Sequence, residues 1–214
     1  MKLAIISDYD YIDKKGAFNS IHNHMKHLKN HYPLEIDVYL LLEYENWLIR
    51  RLRKTPKRKR LRSIEHDGIA YHILWTNFSL LSYLVRYRFH KYPFFLFKYK
   101  KYCEKFKDYD QILAHSTTPG IFALQINKRY AIPYSMTWHG SDIHTECQRN
   151  NDIEKIVSGI ILRAKNNFFV SQKLLDISPN INNGSKRVLY NGVDTSLFFQ
   201  RPWDEIERIK KKTE

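Results

Sequence analysis

The chain alternates short apolar segments with longer amphipathic ones, and this alternation limits the folds open to it more than any other feature. Leu3 to Ser7, Phe18 to His31 and Ile36 to Leu42 read in turn as strand, helix and strand. In the helical stretch Ile21, Met25 and Leu28 recur at spacings of four and three, which makes one apolar stripe, with Asn19 or Ser20 as the expected cap. A third strand is expected from Ile69 to Leu74, entered through a tight turn at Asp67-Gly68. Leu80 to Phe106 reads as mainly helical, broken at Pro93, because proline removes a helical hydrogen bond. The second half is more regular. Strands are expected at Gln111 to Ala114, Tyr134 to Trp138 and Asn167 to Val170, with helices from about Pro119 to Arg129, from about Asp152 to Arg163, and after Ser171 as an N-cap. Short strands joined by helices imply right-handed crossovers and a parallel sheet with both faces covered. The expected fold class is α/β, a Rossmann-like parallel sheet with helices on both faces.

At 214 residues the chain can bury one substantial core. It has no apolar run of bilayer length, and the opening Met1-Lys2-Leu3-Ala4-Ile5-Ile6-Ser7-Asp8 reads as a first strand, not as a secretory signal. The two cysteines, Cys103 and Cys147, lack metal-ligand spacing, and such sparse use fits a reducing compartment, so a cytoplasmic location is expected. The formal net charge of +14 is unevenly placed: nine of the thirteen residues from Arg50 to Arg62 are Lys or Arg and none is acidic. Arg86 to Lys107 interleaves further basic residues with Tyr and Phe. A charge run of this kind reads either as a solvated loop or as a docking surface. Aromatic and aliphatic residues at both stretches suit an anionic membrane face, with Trp47, Arg58, Lys59, Arg60, Phe94 and Phe95 as the expected contacts. Nucleic acid is the rival anionic partner, but no zinc finger or RRM-type aromatic signature supports it.

The stretch from Ser135 to Asp142, "SMTWHGSD", runs from apolar residues straight into a histidine followed by glycine. Ile132 precedes Pro133 and is pushed into extended geometry, so Tyr134 to Trp138 is a buried strand and His139 stands just past its carboxyl end. Open α/β sheets bind ligands at that edge, and glycine permits close backbone approach. Three further strand-ending motifs fall in one order with it: "AHSTTPG" at 114–120, "NNFFVSQKLLD" at 166–176 and "VLYNGVDTSLF" at 188–198. Over nearly the whole chain this set resembles the amino-terminal domain of the GT-B glycosyltransferases of family 4, a retaining group.

The resemblance implies two Rossmann-like domains facing a cleft, with the nucleotide-sugar held mainly by the carboxyl-terminal one. Asn191-Gly192 then marks the crossover, and only 23 residues follow Asn191. The expected division is residues 1–198 as the acceptor-side domain and 199–214 as the start of the crossover or a truncated tail. The donor-binding domain is expected to be missing, leaving this chain inactive by itself. His139 is the expected catalytic residue and, with Gly140, contacts the transferred sugar. Gly16-Ala17 corresponds to the loop whose N–H groups approach the donor diphosphate at a helix start, with a plain turn as the alternative. His115, Thr117 and Asp142 are expected on the acceptor side, with helix capping by Thr117 or Thr118 and loop bracing by Asp142 as the plainer readings. Glu146 and Glu154 have the spacing of the family's paired glutamates but lie in the wrong domain, so that match reads as chance. No cofactor and no metal are expected; a nucleotide-sugar is the donor substrate and a glycan or lipid-linked molecule the acceptor, in polysaccharide or glycolipid synthesis. The alternatives are half of a GT-B sugar-nucleotide epimerase, or a basic nucleic-acid-binding module.

Overall fold

A computed structural model describes residues 1–9, 16–55, 57, 59–85, 93–148, 151–181, 185–192 and 202–203, with the backbone alone at 93–97. Among these residues eight strands form one sheet in the order β3-β4-β2-β1-β5-β6-β7-β8. The strands are β1 (Lys2–Ser7), β2 (Glu35–Glu45), β3 (Ser63–His66), β4 (Ile69–Phe78), β5 (Gln111–His115), β6 (Tyr134–Trp138), β7 (Asn166–Phe169) and β8 (Lys186–Val188). Every neighbouring pair is parallel except the β3–β4 hairpin. Strand order reverses between β1 and β5, and this is the topological switch point, the place beyond the carboxyl ends of the strands where open α/β sheets bind ligands.

Alternation along β1 builds the two layers. Leu3 and Ile5 point to one face, where Phe18, Ile21 and Met25 of α1 (Gly16–His31) cover them together with Val38, Leu40, Tyr71 and Ile73. Ala4 and Ile6 point to the other face, under α4 (Thr117–Tyr130), α5 (Asn151–Arg163) and a run of 3-10 turns over Pro93–Phe106. The larger core lies on this second face, with Phe106, Phe122, Tyr134, Met136 and Trp138 in it. Three short helices complete the described residues: α2 (Trp47–Arg53), α3 (Leu80–Tyr83) and α6 (Gln172–Asp176). A π-helical turn spans Asp142–Cys147. Among the described residues no helix is long and apolar enough to cross a membrane.

Several local expectations need correcting. α1 begins at Gly16, so Asn19 and Ser20 lie inside it and cap nothing; the Ser20 hydroxyl instead donates to Asn191 Oδ1 at 2.9 Å. The basic block is not one loop, since α2 occupies its start and the edge strand β3 follows its end. That strand went unread because Ser63-Ile64-Glu65-His66 is mostly polar, and an edge strand buries little. The Asp67-Gly68 turn is confirmed: φ is +49° at Asp67 and +71° at Gly68, the left-handed pair of a two-residue hairpin turn. The helical reading of Leu80 to Phe106 with its break at Pro93 is met by α3 and by the run of 3-10 turns that begins at Pro93, with 86–92 outside the described residues. Ser171 caps α6, its hydroxyl accepting the Leu174 N–H at 3.3 Å.

Candidate active site

The switch point brings β1, β5 and β6 together at their carboxyl ends, and the side chains that follow these strands meet there. His115 is the last residue of β5, not a loop residue after it, and it is buried; its Nδ1 lies 3.0 Å from Nε2 of His139, which follows β6. One ring must donate and the other accept, so at most one of the pair can carry a charge and the protonation of each ring is tied to that of the other. Loss of water around the half-buried His139 pulls its pKa down to about 4, and the charge of His24 on α1 acts in the same direction. Burial also holds His115 well below the usual histidine range, and the neighbouring His139 acts in the same direction. The edge of the Tyr9 ring meets the His139 ring at a centroid distance of 5.6 Å. Gly140 follows with φ of +142°, a conformation side chains rarely adopt, and open space lies where a Cβ would stand.

Two carboxylates stand at the same end of the sheet. Asp142 Oδ1 accepts both the Thr117 N–H, at 3.1 Å, and the Thr117 hydroxyl, at 2.9 Å. Asp142 therefore braces the start of α4 from across the sheet, and Thr117 is the residue braced, not a cap. The second oxygen of Asp142 is buried and has no hydrogen-bond partner among the described residues. Asp8, just past β1, accepts the Ser116 hydroxyl at 2.5 Å. Burial raises the Asp8 pKa to about 7, and the neighbouring Asp142 charge adds to the rise. Ser116 itself has φ of +79° and ψ of 174°, a region nearly restricted to glycine. Its N–H donates to Thr137 O, its carbonyl accepts from Gly120 N, and its hydroxyl holds Asp8, so three anchors maintain the strain.

The structure thus gathers His115, Thr117, His139, Gly140 and Asp142 at one point, and adds Asp8, Tyr9 and Ser116, which sequence reasoning did not single out. The available signal was the position of Asp8 directly after an apolar strand, the same signal that marked His139. Gly16 and Ala17 open α1 on the same edge of the sheet; Gly16 is exposed, and the loop before it, 10–15, lies outside the described residues. Trp47 and Arg60 stand farther out along that edge, beyond β2 and β4, and Lys59 is the exposed neighbour of Arg60. Arg60 donates to Asn77 Oδ1 at 3.0 Å and lies over the Tyr44 ring. Arg58 and the side chains of Phe94 and Phe95 lie outside the described residues, as does the second half of the Asn-Gly-Val-Asp motif. Glu146 lies in the π-helical turn and Glu154 in α5.

The sequence profile of Glycosyltransferase Family 4 matches residues 16–197. The chain belongs to that family. Solved structures share its fold at low identity. Anabaena Alr3699/HepE in complex with UDP aligns over 100% of this chain and 50% of its own, with TM-score 0.64 and 15% identity. Sucrose-phosphate synthase from Thermosynechococcus elongatus aligns over 98% of this chain and 52% of its own, with TM-score 0.62 and 15% identity. The lipopolysaccharide outer core galactosyltransferase WaaB aligns over 90% and 46%, with TM-score 0.56 and 16% identity. The family 4 chain therefore spans about half the length of these GT-B proteins. Among curated protein sequences none matches it significantly.

Proposed function

We propose that this family 4 chain is the acceptor-side half of a retaining glycosyltransferase, moving a sugar from a nucleotide-sugar to a glycan or lipid-linked acceptor. The observation that carries the reading is His139, a neutral imidazole set between a β-strand and a positive-φ glycine at the switch point of the sheet. His115 occupies Nε2 of His139, so among the described residues Nδ1 is the ring atom left for a sugar hydroxyl. Residues 1–198 form the domain and 199–214 begin the crossover to a donor-binding half that supplies most nucleotide contacts. Binding of UDP by the Anabaena protein of like fold supports a nucleotide-sugar donor.

The N–H groups that open α1 at Gly16 and Ala17 face the donor diphosphate, favoured there by the helix dipole. Two carboxylates near an anionic donor would repel it. Their raised pKa values limit that charge, since Asp8 is partly protonated near neutrality. In a front-face displacement, His139 orients the oxocarbenium-like sugar while the diphosphate leaves, without a catalytic metal. His115, Thr117 and Asp142 shape the acceptor side, His115 and Asp142 acting by holding His139 and α4 in place. The chain works at the cytoplasmic face of a membrane, docked through α2 and the basic segment after it.

The test uses the complete two-domain enzyme. His139→Ala should lower kcat by about a hundredfold or more, the scale of losing one directed polar contact, while stability falls by only about 1–3 kcal/mol, the cost of leaving buried His115 without its partner. A variant that unfolds readily yet keeps its specific activity would make His139 a structural residue. Calorimetric titration of this chain alone with nucleotide-sugars should give weak binding or none; tight binding would contradict a donor site in the other half.

A further inference from the structure

A second cluster of ligating side chains lies on the opposite half of the sheet, where β3, β4 and α1 meet. His22 is buried on the inner face of α1, His66 ends β3, and Asp67 opens the hairpin turn. One donor atom from each lies within 4.8 Å of the other two. His22 Nε2 is 3.3 Å from Asp67 Oδ2, and His66 Nδ1 is 3.5 Å from Asp67 Oδ1. Ligands about 2.0–2.1 Å from a tetrahedral zinc ion stand about 3.3 Å from one another; each imidazole is near that distance from one oxygen of Asp67, and a small side-chain adjustment from the 4.8 Å spread brings one donor atom of each residue into a shell. No sequence motif announces the group, because His22 and Asp67 are 45 residues apart.

The surroundings are also those of a metal site. The other nitrogen of His22, Nδ1, is 2.6 Å from the buried Tyr71 hydroxyl, the kind of outer partner that fixes the ring and tautomer of a metal-bound histidine. If Nδ1–H donates to the phenol oxygen, the Nε2 lone pair faces a carboxylate oxygen, and two acceptors then oppose each other across 3.3 Å. A cation between them removes that repulsion. The metal-free alternative has the phenol donating to Nδ1 and Nε2–H donating to Asp67, so ion binding would reverse the tautomer. Phe18 stacks on His22 with centroids 6.1 Å apart and walls the inner side, while the Asp67 side chain is half open to solvent and leaves room for water as a fourth ligand. Two imidazoles and one carboxylate select zinc-class ions over magnesium or calcium, which prefer all-oxygen shells.

We propose that His22, His66 and Asp67 bind a zinc-class divalent cation that clips the β3–β4 hairpin to α1. The site is independent of the transferase reading and takes no part in the chemistry at His139. Its role is to tie down the edge of the sheet. Lys26 and Lys29 approach the same turn from α1, Lys29 donating to Gly68 O at 3.2 Å, and are the charges the ion competes with.

The metal-stripped chain is titrated with zinc chloride by calorimetry and with cobalt(II) by absorption spectroscopy. One equivalent is expected, with tetrahedral cobalt bands and a zinc-dependent rise in Tm. Asp67→Asn and His66→Gln should each raise Kd at least tenfold and abolish the Tm rise, with metal-free melting unchanged. Asparagine tolerates the left-handed backbone at 67, so that variant folds even if a substitution at buried His22 does not. His27 and His31, stacked at 4.1 Å one helical turn apart, are the control pair, and changing both to Gln should leave binding intact. Absence of saturable binding, an unchanged Kd in Asp67→Asn and His66→Gln, or loss of binding in the His27/His31 variant would each overturn the assignment.

Discussion

Asp8 and the two imidazoles beside it respond to pH with opposite signs. The Asp8 pKa is raised in the fold to about 7 from an ordinary value of 3.8, so the native state binds its proton more tightly than the unfolded chain. Its contribution is fully present below the unfolded pKa and is lost as pH rises from about 4 through 7. His139 is lowered from 6.5 to about 4, so its contribution is present above pH 6.5 and is lost as pH falls toward 4. Asp8→Asn isolates the first effect, because the amide oxygen can still accept the Ser116 hydroxyl while the ionisation is gone. The variant should become more stable relative to the parent as pH rises from 4 to 8, by on the order of 4 kcal/mol. Urea unfolding of both proteins across that range measures the difference, and a difference that stays flat would mean that Asp8 titrates normally.

At the scale of elements, the site depends on how α4 leaves β5. The strained Ser116, the Asp142 brace on Thr117 and close packing of the first turn against β6 all act within five residues. The packing depends on Gly120: a Cβ there would stand 2.7 Å from Met136 Cε and 3.3 Å from Ile160 Cδ1. Glycine lets α4 approach β6 and α5 closely, which outweighs its cost of about 1 kcal/mol in a helix. Gly120→Val should destabilise by about 2 kcal/mol through overpacking. Met136→Ala opens a cavity in the same place and is destabilising on its own. Together they should cost at least about 1 kcal/mol less than their sum, because the added methyls fill the vacated space. Strictly additive values in a double-mutant cycle would show that Met136 is not what limits position 120.

At the scale of the whole molecule, the carboxyl edge of the sheet carries the candidate site at its centre and a basic, apolar surface at its outer end. Trp47 is 67% exposed and Leu81 60%, with Leu48, Leu52 and Leu80 also exposed, and Arg50, Arg51 and Arg53 lie in the last turn of α2. On the membrane proposal the cations draw the chain to anionic lipid and Trp47 enters the headgroup boundary. Vesicle co-sedimentation should therefore require anionic lipid and fall steeply with salt, since the Debye length shrinks to about 3 Å at 1 M. Changing Arg58, Lys59 and Arg60 together to Ser should weaken binding further. Equal binding to neutral and anionic vesicles would end the membrane reading, and far tighter binding to duplex nucleic acid would favour a nucleic-acid module.

The sequence by itself determined the βα alternation, the α/β class, the Asp67-Gly68 turn and the place of His139 at the end of a strand. These are legible because a residue's periodicity and its local backbone preferences act over a few neighbours. The motif order at 114–120, 132–142, 166–176 and 188–198 also carried the family, which the profile match over 16–197 bears out. Tertiary structure decided what periodicity cannot encode, namely the strand order and the partners it creates. Asp8 reaches Ser116 across 108 residues of sequence because β1 and β5 are neighbours at the switch point. Thr117 finds Asp142 because β5 and β6 pair. His22 meets Asp67 because α1 packs over the β4 edge. In each case the chemistry comes from side chains that the crossovers bring together, and the closing of those long loops is driven by burial of the core rather than by any local preference of the residues that meet.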